Sequence, residues 1–169
     1  MKKYFVTGSE GFIGSSLVEK LLEKKNVVFA LVNYNSFGNI GWWRKLSLKN
    51  KRLKVIFGDL KDPDTFLDYL SKSDYVINLA SLISVPYSYS ASKSYLENNI
   101  LGCHFLYSSC KKLKIKKIIH ISSSEVYGTP KKLPITEHTI FNRQSPYAAS
   151  TAAADFVAKS YFYSFNLPI

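Results

Sequence analysis

Three groups of residues in this 169-residue chain have types and spacings suited to chemistry. The first is Thr7-Gly8-Ser9-Glu10-Gly11-Phe12-Ile13-Gly14, a G-x-x-G-x-x-G triad lying between the apolar run Tyr4-Phe5-Val6 and an amphipathic segment over residues 13–22. A strand, a glycine-rich turn and a helix in that order make a phosphate-binding geometry. Gly8 permits a tight turn, Gly11 lets the backbone approach a pyrophosphate, and Gly14 lets the first helical turn sit close to the strand. Free N–H groups and the helix dipole would then hold the anion. Taken alone, the triad fits a plain loop equally well. The second group is Ser122-Ser123-Ser124-Glu125, three hydroxyls and a carboxylate directly after the apolar run 117–121. Serine runs often mark simple loops, yet four polar groups leaving a buried strand suit a ligand edge. The third is Tyr147, Thr151 and Asp155, which share one helical face at i, i+4 and i+8.

The remaining pattern supplies elements to position these groups. Residues 3–7 and 27–32 read as strands around the first helix, whose Ile13, Leu17, Val18, Leu21 and Leu22 recur at helical spacing, giving a βαβ unit. Where the second strand ends, a dinucleotide fold usually carries an acid for the adenosine ribose; here stand Asn33, Tyr34 and Asn35. Asn33 can still hydrogen-bond a hydroxyl, and nearby Arg44 would either meet a ribose phosphate or lie on the surface. The loop 33–43, with Trp42 and Trp43, would fold over a ligand or cap the core. A third strand over 53–57 ends in Gly58-Asp59-Leu60, so Asp59 stands at the ligand edge of the sheet. It would accept from an adenine amine or serve as a turn carboxylate.

A short helix follows over 64–70, opened by Asp62-Pro63-Asp64. A fourth strand over 74–79 leads to the small residues Ala80-Ser81, and residues 92–112 are helical, with Asn99 on the apolar face, where it is expected to tie the helix to a neighbouring strand. The fifth strand spans 117–121, the loop 129–143 has no periodicity, and a helix opens at Ser145-Pro146 and runs to about 165. These elements specify an α/β fold: a Rossmann-like, doubly wound parallel sheet in three α/β/α layers, one domain over 1–169, ending where a sixth strand is expected.

Composition is that of an ordinary globular chain, with 46% hydrophobic residues. No apolar run approaches the length of a membrane span, and no signal-peptide core follows Met1-Lys2-Lys3, so a soluble cytoplasmic protein without membrane partners is expected. The charge of +11 comes from lysine pairs scattered over predicted surfaces, which argues against a nucleic-acid partner. Cys103 and Cys110, about 10 Å apart on one helix, are too distant for a disulfide, and no metal-ligand pattern accompanies them.

Together these residues resemble the extended short-chain dehydrogenase/reductase family, the NAD(P)-dependent nucleotide-sugar epimerases and dehydratases. The likeness rests on Thr7-Gly8 to Gly14 (the family's T-G-x-x-G-F-x-G), Gly58-Asp59-Leu60, Asn78-Leu79-Ala80-Ser81, Asn99, Ser122 to Gly128 and Ser145-Pro146-Tyr147, in family order along the chain. Tyr34-Asn35-Ser36 with Gly41-Trp42, Pro86-Tyr87-Ser88-Tyr89 and Ser123 to Gly128 resemble the branch that 4,6-dehydrates nucleotide-activated hexoses, above all the GDP-N-acetylglucosamine 4,6-dehydratases of legionaminic-acid biosynthesis. The resemblance implies NAD as cofactor, with NADP open, and a nucleotide-activated hexose as partner. It implies a cofactor site of Gly8, Gly11, Phe12, Ile13, Gly14, Asn33, Asp59, Leu60, Leu79, Ala80, Ser81, Asn99 and Tyr147. A homodimer through the 92–112 and 147–165 helices is also implied.

For catalysis the resemblance implies that Tyr147 takes the sugar 4-hydroxyl proton while hydride leaves C4, with Ser123 holding that oxygen. Glu125 would then remove the C5 proton, and the group at Ser124 would help expel the C6 hydroxyl. Two departures qualify this. The family motif is Y-x-x-x-K, and the lysine position is Thr151. That lysine places a positive charge beside the tyrosine, and a free tyrosine is phenolate only about once in a thousand at pH 7. Very low turnover is therefore expected. Family members are also roughly twice as long, so the substrate-binding C-terminal part is expected to be missing and the fifth strand to be an uncovered edge.

Overall fold

Five short, near-continuous apolar segments rich in β-branched and aromatic residues assemble into one parallel sheet because both of its faces are covered. The structure, a computed structural model, describes residues 1–45 and 50–169, without the side chains of Arg44 and Lys45. Arg44, a candidate for a ribose phosphate in the sequence, thus has its side chain outside the described residues. The strands are β1 (Lys3–Thr7), β2 (Val27–Asn33), β3 (Leu53–Gly58), β4 (Tyr75–Asn78) and β5 (Lys117–His120), in the spatial order β3-β2-β1-β4-β5. The order reverses between β1 and β4, and crevices at such a switch point bind ligands beyond the carboxyl ends of the strands.

Alternation along the strands feeds two cores. Val6, Val28, Ala30, Val32 and Ile77 pack with Val18, Leu21 and Leu22 of α1 (Phe12–Glu23) and with Trp43. Phe5, Leu31, Ile56, Val76 and Ile118 face the other way, toward Leu70 of α2 (Leu67–Ser71) and the longer helices of that layer. Burial of each such side chain contributes roughly 1.5–3 kcal/mol, so a polar substitution at Val6 or Val76 would break the layer.

The second layer is more segmented than its sequence suggests. A turn of helix, α3 (Val85–Ser90), precedes the expected 92–112 helix; Ser84 caps it by accepting from Tyr87 N–H, and Pro86 lies in its first turn. The helix itself begins as α4 (Ser92–Tyr95), widens into a π-helical segment (Leu96–Leu101) and continues as α5 (Gly102–Cys110). The last helix, α6 (Pro146–Phe165), opens on Ser145, whose Oγ accepts from Ala148 N–H. It stops at Asn166 in the left-handed conformation, a common helix terminator. Beyond it the backbone runs along the sheet, and Ile118 N–H donates to Pro168 O at 2.8 Å. The outer edge of β5 is therefore partly covered, not open as expected, although Ile119 and Ile121 remain exposed.

The loop between β2 and β3 is tied to the glycine turn. Asn35 Oδ1 accepts from Asn39 N–H and Asn35 Nδ2 donates back to Asn39 O, both at 2.7 Å, which closes the loop on itself. Trp43 is fully buried, and its indole Nε1–H donates to Ser9 O at 2.6 Å. Of the two roles open to this loop, Trp43 fills the core one. Trp42 stays exposed, edge-on to Phe12 at the mouth of the turn.

Candidate functional site

The turn from β1 into α1 is built for close approach. Gly8 has φ +59°, and a Cβ there would lie 2.8 Å from the Leu79 carbonyl carbon and from Ala80 N, so the segments leaving β1 and β4 can approach this closely only around a glycine. A Cβ on Gly14 would overlap the Gly8 carbonyl oxygen, which fixes the first turn of α1 against the loop. Gly11 is the N-cap of α1 and offers no capping side chain. Helix geometry leaves the N–H groups of Phe12, Ile13 and Gly14 without intrahelical acceptors. They line a cleft of about 750 Å³ that runs along the carboxyl ends of all five strands.

That cleft gathers most of the residues singled out from the sequence. Gly8, Gly11, Phe12, Ile13 and Gly14 form its centre; Asn33, Asp59 and Leu60 lie on the side of β2 and β3; Leu79, Ala80 and Ser81 follow β4. Ser122, Ser123, Ser124 and Glu125 lie past the end of β5, and Tyr147 and Thr151 face them from α6. Asp59 does the work of a turn carboxylate as well: Oδ1 accepts from Lys61 N–H at 2.8 Å and Oδ2 pairs with Lys61 Nζ at 3.4 Å. Ser123 caps the 3-10 turn Ser124–Tyr127 by accepting from Glu125 N–H, which leaves the Glu125 carboxylate exposed. Tyr147 is nearly buried, its ring edge-on to Tyr95, and its hydroxyl makes no hydrogen bond among the described residues.

Asn99, expected at the cofactor site, and Asp155, noted on the face of Tyr147, are placed elsewhere. Asn99 sits behind the cleft wall, 2% exposed, with its amide fully spent. Oδ1 accepts from Leu82 N–H at 2.8 Å, while Nδ2 donates to Leu82 O and Ser150 Oγ, so Asn99 braces the segment after β4 against α6. The π-helical segment turns Asn98 toward the cleft in its stead. Asp155 shares the face of Tyr147 and Thr151 on paper but faces β5. It accepts from Ser122 Oγ at 2.7 Å and pairs with His120 Nε2 at 3.0 Å.

Behind the cleft floor a chain of polar contacts joins these parts. His120 Nδ1 meets Tyr107 Oη at 2.6 Å, and Asn78 Nδ2 donates to Tyr107 Oη and to Cys103 Sγ. Thr7 Oγ1 donates to Asn78 Oδ1 at 2.6 Å and accepts from the N–H groups of Leu79 and Ala80. Burial disfavours a charged His120, but the Asp155 carboxylate and the Cys103 sulfur outweigh it and raise the imidazole to about 9. Burial raises the Tyr107 hydroxyl far above the ordinary phenol value. Both cysteines are free and buried.

Charge in the cleft is unlike charge elsewhere. Among the described residues that line it none is Lys, Arg or His; their ionisable groups are Glu10, Asp59, Glu125 and Tyr147. The described lysines and arginines therefore lie outside it, and among the described residues attraction for an anion within it comes from backbone N–H groups. Two buried side-chain oxygens at the cleft, Glu10 Oε2 and Thr151 Oγ1, have no hydrogen-bond partner among the described residues. Glu10 escaped the sequence reading because it looked like a spacer in the triad.

A parallel α/β domain with a glycine turn at its switch point and a Ser/Glu/Tyr cluster at one end of the cleft defines a dinucleotide-type α/β protein. The sequence profile described as GDP-mannose 4,6 dehydratase matches residues 5–169, and the chain belongs to that family. A dTDP-D-glucose 4,6-dehydratase of Dictyostelium discoideum is 34% identical over all of this chain and 42% of its own length. Among solved structures, the chain superposes on DesIV, a dTDP-glucose 4,6-dehydratase from Streptomyces venezuelae with NAD and TYD bound. There the TM-score is 0.90 and the identity 29%, covering 98% of this chain and 53% of that one. A UDP-N-acetylglucosamine 4-epimerase from Methanobrevibacter ruminantium, in complex with UDP-N-acetylmuramic acid, gives TM-score 0.89 at 38% identity, covering 98% and 52%. The chain thus spans about half the length of the relatives it matches. Among the described residues no helix is long and apolar enough to cross a membrane.

Proposed function

We propose that this chain is the cofactor-binding half of an NAD-dependent nucleotide-sugar 4,6-dehydratase or epimerase. The observation that carries the reading is the single cleft joining the uncapped glycine turn to Tyr147. NAD fits the residues present: Gly8 and Gly14 leave a cradle that a Cβ would fill, and the N–H groups of residues 12–14 suit a pyrophosphate. Asn33, Asp59 and Leu60 would hold the adenosine end, and Leu79, Ala80, Ser81 and Tyr147 the nicotinamide end. Asn99 would act through Leu82 and Ser150. Bound NAD would supply a hydride acceptor at the sugar carbon that is oxidised.

The chain's own groups would do the proton work. The unpartnered Tyr147, as phenolate, would take the proton of a sugar hydroxyl, and Ser123 would hydrogen-bond the same oxygen. Glu125, exposed at the cleft, would take the proton of the neighbouring carbon, and the group at Ser124 would deliver a proton, directly or through water, to the departing hydroxyl so that it leaves as water. Elimination across two sugar carbons is the dehydratase reading, and the GDP-N-acetylglucosamine class is the finer form that the sequence motifs favour. Exposed Leu96, Leu101, Phe156 and Phe162 on the long helices support a homodimer through them.

Thr151 favours a second reading, a dinucleotide-binding chain with little or no turnover. Its neutral, buried hydroxyl stands one helical turn from Tyr147, and among the described residues the cleft contains no cation to assist a phenolate. Incubation with NAD and GDP- or UDP-N-acetylglucosamine, assayed for 4-keto sugar, tests both readings. The chain joined to a complete substrate half is expected to gain turnover by about tenfold or more on Thr151→Lys. Vigorous turnover with Thr151 in place would contradict the impairment.

A further inference from the structure

Where β2 ends, the sequence offers Asn33 and no acid, so the usual reader of the adenosine ribose is missing from its usual place. A carboxylate nevertheless reaches that place. Glu10, in the middle of the glycine turn, extends across to β2, where Asn33 N–H donates to Glu10 Oε1 at 2.9 Å. The other oxygen, Oε2, is buried without a partner among the described residues, and Glu10 lines the cleft beside Leu31, Asn33 and Asp59. Neighbouring structure holds the residue in position. Trp42 N–H donates to Glu10 O at 3.0 Å, and the preceding residue is anchored by Trp43 Nε1–H on Ser9 O and by Ser9 Oγ–H on Leu31 O.

A buried acceptor without a donor is costly and calls for an explanation, and a sugar hydroxyl is a donor of the right kind. A phosphate is the opposite: a second anion beside a carboxylate, in a cleft where the described lining residues include no cation. We infer that Glu10 is the specificity-determining residue of the cofactor site, replacing the missing acid of β2 and selecting a dinucleotide with a free ribose 2′-hydroxyl over one with a 2′-phosphate. This inference rests on the dinucleotide reading given above and adds to it the residue that tells NAD from NADP.

The test is calorimetric titration of NAD and of NADP into the chain and into its Glu10→Gln variant. Gln keeps an oxygen for Asn33 N–H and removes only the charge. The unaltered chain is expected to bind NAD about tenfold or more tighter than NADP, and E10Q to narrow that ratio, chiefly by binding NADP better. Raising salt should narrow the ratio for the unaltered chain too, as screening of a charge effect requires, and this readout needs no variant. Equal affinities, a preference for NADP, or a ratio that neither E10Q nor salt moves would overturn the role of Glu10 while leaving the dinucleotide site standing. Failure of both dinucleotides to bind would overturn the dinucleotide reading itself, and the role of Glu10 with it.

Discussion

His120 Nε2 lies 3.0 Å from Asp155 Oδ1, joining the end of β5 to the middle of α6 by an ion pair that is only 11% and 13% exposed. Burial opposes the charge on the ring, and the Asp155 carboxylate together with the Cys103 sulfur outweighs it, so the folded value is about 9 against an ordinary 6.5. A group raised on folding contributes stability that is complete below the unfolded value and is lost as pH rises through the folded one. Urea unfolding should therefore show stability falling between about pH 6.5 and 9, by on the order of 3 kcal/mol. In Asp155→Asn that slope should shrink, since the carboxylate's share of the raised value is removed. A profile unchanged by the substitution would remove the pair from the account.

Trp43 links the core to the glycine turn through one indole N–H. Trp43→Phe keeps an aromatic ring in the cavity and leaves Ser9 O without its donor, so it should cost about 1–3 kcal/mol. Trp43→Ala should cost more, about 3–5 kcal/mol, since a fully buried ring is removed. The phenylalanine variant is further expected to weaken NAD binding, because the turn loses its anchor. Thermal melts and titrations of the two variants separate these effects.

Neighbouring asparagines should behave differently. Asn99→Ala strips partners from both Leu82 backbone groups and from Ser150, and should destabilise the fold by about 1–3 kcal/mol. Asn98 makes one hydrogen bond, to Asn99 Oδ1, and lines the cleft, so Asn98→Ala should cost roughly 0.5 kcal/mol or less while changing dinucleotide affinity. Equal stability losses would mean that the π-helical segment does not divide the roles in this way.

The sheet was legible because buried parallel strands write themselves as short apolar runs, and 27–32 or 53–57 in the sequence differ by a residue from β2 and β3. Helix α1 was legible from its spacing and the glycine turn from its position between the two. What escaped has no local signature. Val85–Ser90 is helical by virtue of its Ser84 cap and tertiary packing, not an apolar period. A six-residue π segment carries no composition signal, yet it decides which of Asn98 and Asn99 meets the cleft. Glu10 and Asp155 were readable as charges, but their partners Asn33 and His120 lie 23 and 35 residues away, and only folding brings them together.

Gly11 offers the most direct test of the central claim. Its φ of −71° suits any residue, and a Cβ there meets only Gly8 O, at 3.3 Å, so Gly11→Val should fold while filling the cleft in front of the N–H groups of α1. Calorimetric titration of NAD is expected to give saturable one-to-one binding to the unaltered chain, and an affinity lower by about a hundredfold or more for G11V with an unchanged circular dichroism spectrum. Binding of undiminished strength to a folded G11V, or no saturable binding to the unaltered chain, would contradict the assignment of this cleft as the dinucleotide site.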